Sequence, residues 1–145
     1  MRRTCYLLVV LFGAWSSSLG QSAPKFTTPQ IVATFHRLGQ TAEIPPTTIY
    51  TPKNWGTFRI SIVMVGTVAS GQNGTWAGVV DFKDGAGDNT GTAFSAQLVS
   101  EVKQTVFAEF PIRAEARKPI KFSVTGYGSP QGSKYNVWVV VEQLM

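Results

Sequence analysis

Apolar and polar residues alternate with a period of two along most of the chain beyond residue 28. In Phe58-Arg59-Ile60-Ser61-Ile62-Val63-Met64, the side chains of Phe58, Ile60, Ile62 and Met64 share one face of an extended strand, with Arg59 and Ser61 on the other. Ile120 to Thr125 repeats the pattern, as does Tyr135 to Val141, where Tyr135, Val137, Val139 and Val141 share a face. Val106, Ala108, Phe110 and Ile112 form a further set. Ile31 to His36, Thr47 to Tyr50, Thr75 to Phe82 and Thr92 to Val99 carry weaker versions. Turn-forming clusters separate the runs: Pro45-Pro46, Pro52 to Gly56, Ser70 to Gly74, Lys83 to Thr90, Ala114 to Pro119 and Gly126 to Gly132. Ala96 to Val106 lacks Gly and Pro, but its apolar positions form no helical stripe. About eight short strands at roughly ten-residue spacing predict an all-β fold, an antiparallel β-sandwich of jelly-roll type, over 29–145.

The N-terminus departs from this pattern. Arg2 and Arg3 precede an apolar run of about 11 residues from Cys5 to Trp15, and small residues follow to Gly20. The run falls short of the roughly 20 apolar residues a membrane-spanning helix needs. The expectation is a cleaved signal peptide over 1–20, then a polar arm over 21–28, and a secreted protein, extracellular or periplasmic, with no membrane span in its mature part. The net charge of +5 then drops to +3 with the loss of Arg2 and Arg3, and Cys5, the one cysteine, is lost with them. A thiol-free chain suits an oxidising compartment.

Ile49-Tyr50-Thr51-Pro52, followed by Trp55-Gly56-Thr57-Phe58-Arg59-Ile60-Ser61, resembles the lead into a central strand of the tumour-necrosis-factor and complement-head jelly rolls. Phe110-Pro111-Ile112-Arg113 and Lys118-Pro119-Ile120-Lys121-Phe122-Ser123-Val124 resemble their strand, charged turn, strand unit, and Tyr135 to Leu144 resembles their closing strand. The resemblance spans Thr47 to Leu144. Where that family's turn often carries Gly-Asp, this chain has Arg117-Lys118-Pro119. The resemblance implies a jelly roll that often trimerises and binds proteins.

Few residues here carry chemistry. A single His and a single Cys exclude multi-His and Cys-rich metal sites. His36 reads as the polar end of the first strand, and there is no Gly-x-Ser-x-Gly elbow to make it a catalytic base. The acids Glu43, Asp81, Asp84, Asp88, Glu101, Glu109, Glu115 and Glu142 are scattered, so a hydrolase built on paired carboxylates is only an alternative. In the loop from Asp81 to Thr90, Asp84, Asp88 and Asn89 are weak calcium candidates, because the same Asp, Gly and Asn composition makes a hairpin turn.

Aromatic and basic residues supply the binding candidates. Trp55, in a turn, Tyr127, in a Gly-rich loop, and Trp138, on the face opposite Val137 and Val139, are candidates to stack on sugar rings, while Trp76 reads as core. Arg113, Arg117, Lys118 and Lys121 form a basic cluster able to attract anions, diluted by Glu109 and Glu115. No motif supports nucleic-acid binding. Asn73-Gly74-Thr75 fits both a glycosylation acceptor and a hairpin turn. The terminal strand is apolar on both faces, with Trp138, Val140 and Leu144 opposite its core set, which points to a covered surface such as a homo-oligomer contact. The resulting expectation is a secreted, non-enzymatic binding or structural module without cofactor. Its partners would be itself, an extracellular protein or a glycan, with a carbohydrate-binding module as the alternative.

Overall fold

A computed structural model describes residues 28–68, 74–96, 105–128 and 132–144, with only the backbone described for 88–96. The expected signal peptide with Cys5, the arm up to Thr27, Asn73 and the segment 97–104 lie outside these residues. Eight strands follow in chain order: β1 (Gln30–Gln40), β2 (Ile44–Tyr50), β3 (Gly56–Val68), β4 (Gly74–Asp84), β5 (Gly87–Ala96), β6 (Thr105–Ala114), β7 (Ile120–Gly128) and β8 (Lys134–Gln143). They form two four-stranded antiparallel sheets, β1-β8-β3-β6 and β2-β7-β4-β5.

The pairs β1 with β8, β2 with β7, β3 with β6 and β4 with β5 are nested about the β4–β5 turn. This is the strand order of a long hairpin folded over itself, a jelly roll. The expected all-β sandwich is therefore what the chain forms. Several boundaries differ from the expectation. Pro45 and Pro46 lie inside β2, an edge strand, where the register shifts between Ile44 and Thr47. An edge strand tolerates residues that cannot donate to a ladder. The stretch Lys83 to Thr90 contains a turn of two residues, Gly85 and Ala86, and β7 runs on to Gly128 through part of the expected Gly-rich loop.

The alternating set of each central strand faces the other sheet. Phe58, Ile60, Ile62 and Met64 of β3, Tyr135, Val137, Val139 and Val141 of β8, and Ile120, Phe122 and Val124 of β7 are buried. Three aromatic pairs join the sheets, each with one ring from either side: Phe35 with Phe122 (centroids 5.8 Å apart), Tyr50 with Phe58 (5.6 Å) and Trp76 with Tyr135 (4.9 Å). The Arg37 guanidinium lies 4.8 Å from the Phe35 ring centre and shields it at the β1 edge.

Buried polar atoms are satisfied where these pairs meet the loops. The indole N–H of Trp76 donates to Ser133 Oγ at 2.8 Å, and the Tyr135 hydroxyl donates to the Ala42 carbonyl at 2.7 Å. The second bond fixes the chain where it crosses from one sheet to the other between β1 and β2. Two further bonds help. Asn136 Oδ1 accepts from Gly39 N–H, at a left-handed glycine (φ 61°), and Glu43 Oε1 accepts from Gly126 N–H.

Burial and then the charge of Glu43 push the Tyr135 phenol well above its ordinary pKa. The unfolded chain ionises this phenol near pH 10, whereas the folded chain keeps it neutral. Stability from this group is complete below that pH and is lost as pH rises toward the folded-state value. Urea midpoints should therefore fall between pH 8 and about 10.5, and fall less in Tyr135→Phe. An equal fall in both proteins would show that the phenol plays no part.

Candidate functional site

The two outer faces of the sandwich differ. On the sheet containing β2, β7, β4 and β5, Thr48, Lys121 and Asp81 lie in one row across the strands, and Ser123 and Thr125 continue the face along β7. Lys121 and Asp81 are direct cross-strand partners of opposite charge. On the other sheet, His36 of β1, Trp138 of β8, Val63 of β3 and Phe107 of β6 stand in one row across all four strands. Trp138 is 38% exposed and Phe107 62% exposed. His36 thus lies within β1, which continues to Gln40, and does not end the strand as its sequence suggested.

Two rows along the same face, charge is handled internally. Arg59 Nε and Nη2 both bond Glu142 Oε2, and Nη1 reaches Glu109 Oε1 at 3.5 Å. The Ser61 hydroxyl donates to Glu109 Oε2 at 3.3 Å. The hydrogen bond to Glu142, and next its charge, raise the Arg59 pKa above the ordinary value. The scattered acids of the sequence thus include one assembled pair, Glu109 and Glu142. A guanidinium stands between them on an open sheet face, so they are not arranged as a pair flanking a substrate bond.

A second region lies at the end of the sandwich where the β2–β3, β4–β5 and β6–β7 connections meet. The Glu115 N–H donates to the Lys83 carbonyl at 2.8 Å, and the Arg117 N–H donates to the Pro52 carbonyl at 2.7 Å. These bonds tie the three connections into one surface. The Arg113 guanidinium lies 5.4 Å from the ring centre of Trp55. The far edge of that indole rests on the β4–β5 turn: a Cβ on Gly85 would come within 3.0 Å of Trp55 Cη2. Trp55 is nevertheless 44% exposed.

The three candidate sugar-stacking aromatics occupy three separate surfaces. Trp55 is at this loop end, Trp138 is on one outer face, and Tyr127 is on the opposite outer face near the far end, paired with Thr75. The sequence cluster of four cations also divides. Arg113, Arg117 and Lys118 belong to the loop end, whereas Lys121 follows the buried Ile120 and takes the outward phase of β7. Lys53 and Lys83, isolated in the sequence, join the loop end through the backbone bonds at Pro52 and Lys83. Phe107 was also missed. Its signal was an apolar residue on the polar phase of β6, between Val106 and Ala108.

Of the calcium candidates, Asp84 uses Oδ1 to accept the Ala86 N–H at 2.9 Å, closing the turn between β4 and β5. Asp88 and Asn89 lie in β5, and their side chains are outside the described residues. Among the described residues, no three His, Cys, Asp or Glu side chains gather to hold a metal ion. Likewise, no described helix is long and apolar enough to cross a membrane.

No protein-family model and no curated protein matches this chain. Among solved structures, the chain is similar to Eiger TNF from S. frugiperda at 11% identity, over 78% of this chain and 86% of that one, with a TM-score of 0.41. The jelly-roll assignment rests on strand order alone.

Asp84 provides a test of turn chemistry against cation binding. Asp84→Ala should lower stability by about 1 kcal/mol, because the Ala86 N–H loses its acceptor. Asp84→Asn keeps a side-chain oxygen and should retain most of it. Denaturant titrations without added metal check this, and equal losses in both variants would remove the turn explanation.

Proposed function

We propose that the protein is a secreted, non-enzymatic binding or structural module that self-associates through the outer face of the β1-β8-β3-β6 sheet. The carrying observation is the row His36, Trp138, Val63 and Phe107, which puts two large, partly exposed aromatic side chains in line across that sheet. Soluble monomers rarely leave such patches uncovered. Aromatic residues are enriched at the cores of interfaces, where charged residues are depleted.

A second copy of the chain is the occupant that fits. The charges beside the row, Arg59, Glu109 and Glu142, are matched to one another. The cations of this face that form no ion pair among the described residues, Arg113 and Lys134, stand at its two ends, so an apolar, self-complementary partner suits its middle. A self-complementary apolar row suits a closed symmetric assembly. The opposite outer face carries Thr48, Lys121 and Asp81 in one row and, among the described residues, has no comparable line of large exposed aromatics across its strands. The fold by itself assigns no activity.

Light scattering on the purified chain at micromolar concentration should give a defined multiple of the monomer mass. Trp138→Glu and Phe107→Glu should each weaken association by about thirtyfold or more, whereas Tyr127→Glu, on the other outer face, should leave it unchanged. A monomeric parent protein would overturn the proposal, as would equal effects from all three substitutions.

A further inference from the structure

The loop end carries a use separate from self-association. Of the basic residues with described side chains, Lys53, Lys83, Arg113, Arg117 and Lys118 all lie there, on three connections far apart in sequence. Lys53, Arg113, Arg117 and Lys118 are exposed, and among the described residues none of these four forms an ion pair. The acids at this end, Asp84, Asp88 and Glu115, are outnumbered by the five cations. One Asp84 oxygen accepts the Ala86 N–H, and Glu115 is half-buried on the loop between Arg113 and Arg117.

Three features make this surface a built one and not a loose set of surface lysines. First, the cross-loop bonds from Glu115 to Lys83 and from Arg117 to Pro52 hold the cations at fixed backbone positions. Fixed positions lower the ordering cost of binding. Second, the Arg113 guanidinium lies over the Trp55 ring, and the indole is braced by the Gly85 turn. A guanidinium held beside a ring by its π face still has N–H groups free to meet oxyanions. Third, Arg117 sits at φ 61°, the only non-glycine residue with positive φ among those described. That conformation suits Gly, Asn or Asp and opposes other side chains. The backbone would be better served by glycine, yet a long cationic side chain stands there.

We infer that this loop end binds an acidic polysaccharide through Lys53, Arg113, Arg117 and Lys118, with the exposed part of the Trp55 indole available to the apolar face of a sugar ring. Nucleic acid fits less well. Single strands need successive aromatic platforms along a basic groove, and this end offers a single exposed indole.

The test uses the whole chain, with heparin as a sulfated probe and polygalacturonate as a carboxylate-only probe. Binding to either supports the inference, and the pattern tells which anionic group is read. Arg117→Gly should leave thermal stability unchanged or higher while weakening binding about threefold, the size of one exposed charge contact. The triple variant Lys53→Gln, Arg117→Gly, Lys118→Gln should weaken it roughly tenfold or more. Lys134→Gln, at the start of β8 and the opposite end of the sandwich, should match the parent. The inference is overturned by failure to bind both probes, by an equal loss in Lys134→Gln, or by duplex DNA binding as tightly as the polysaccharides.

Discussion

Everything in this molecule depends on two sheets hiding one face each against the other. Residues of β3, β7 and β8 fill most of the buried interior. The three ring pairs that cross it, Phe35 with Phe122, Tyr50 with Phe58 and Trp76 with Tyr135, connect six different strands. Aromatic rings bury large areas and prefer tilted or edge contacts, so they define the relative placement of the sheets more sharply than aliphatic packing alone. Because side chains alternate along a strand, fixing the inner set also fixes the outer set. Trp138 points outward because Tyr135, Val137 and Val139 must point inward.

Much of this was legible from alternation. The runs at Phe58 to Met64, Ile120 to Thr125 and Tyr135 to Val141 gave the central strands, and turn clusters placed most connections. What failed did so for physical reasons. Pro45-Pro46 signals a break in any isolated segment, but it is admissible in β2 because an edge strand has one side without a ladder. Asp88 to Thr90 read as loop by composition, whereas pairing with β4 made them the start of β5. The loop end was the least legible part. It depends on bonds between Glu115 and Lys83 and between Arg117 and Pro52, partners separated by tens of residues with no local signature. Lys121 was grouped with Arg117 and Lys118 by proximity along the chain, although the alternation already visible in β7 assigns it to an outer face.

The proposed association face and the proposed ligand end occupy different sides of the sandwich, one a broad sheet surface and the other a rim of loops. They meet at Arg113, which stands on the outer face of β6 three rows from Phe107. A closed assembly with rotational symmetry along the strands would turn several loop ends in the same direction. Weak sites on a common scaffold act together when a polymeric ligand can reach more than one of them. A modest contact of a few exposed cations could then serve a firm attachment without a deep pocket.

The proline pair in β2 has a consequence beyond its own strand. Sheets with open margins can recruit strands from neighbouring molecules and grow without limit. Pro45 and Pro46 offer no N–H to an incoming chain, and the register shift beside them bends the margin they occupy. Along that side, the sandwich resists fibre-like stacking even when many copies are crowded together. The proposed association through one broad face would need such a barrier elsewhere, so that assembly stops at a finite size.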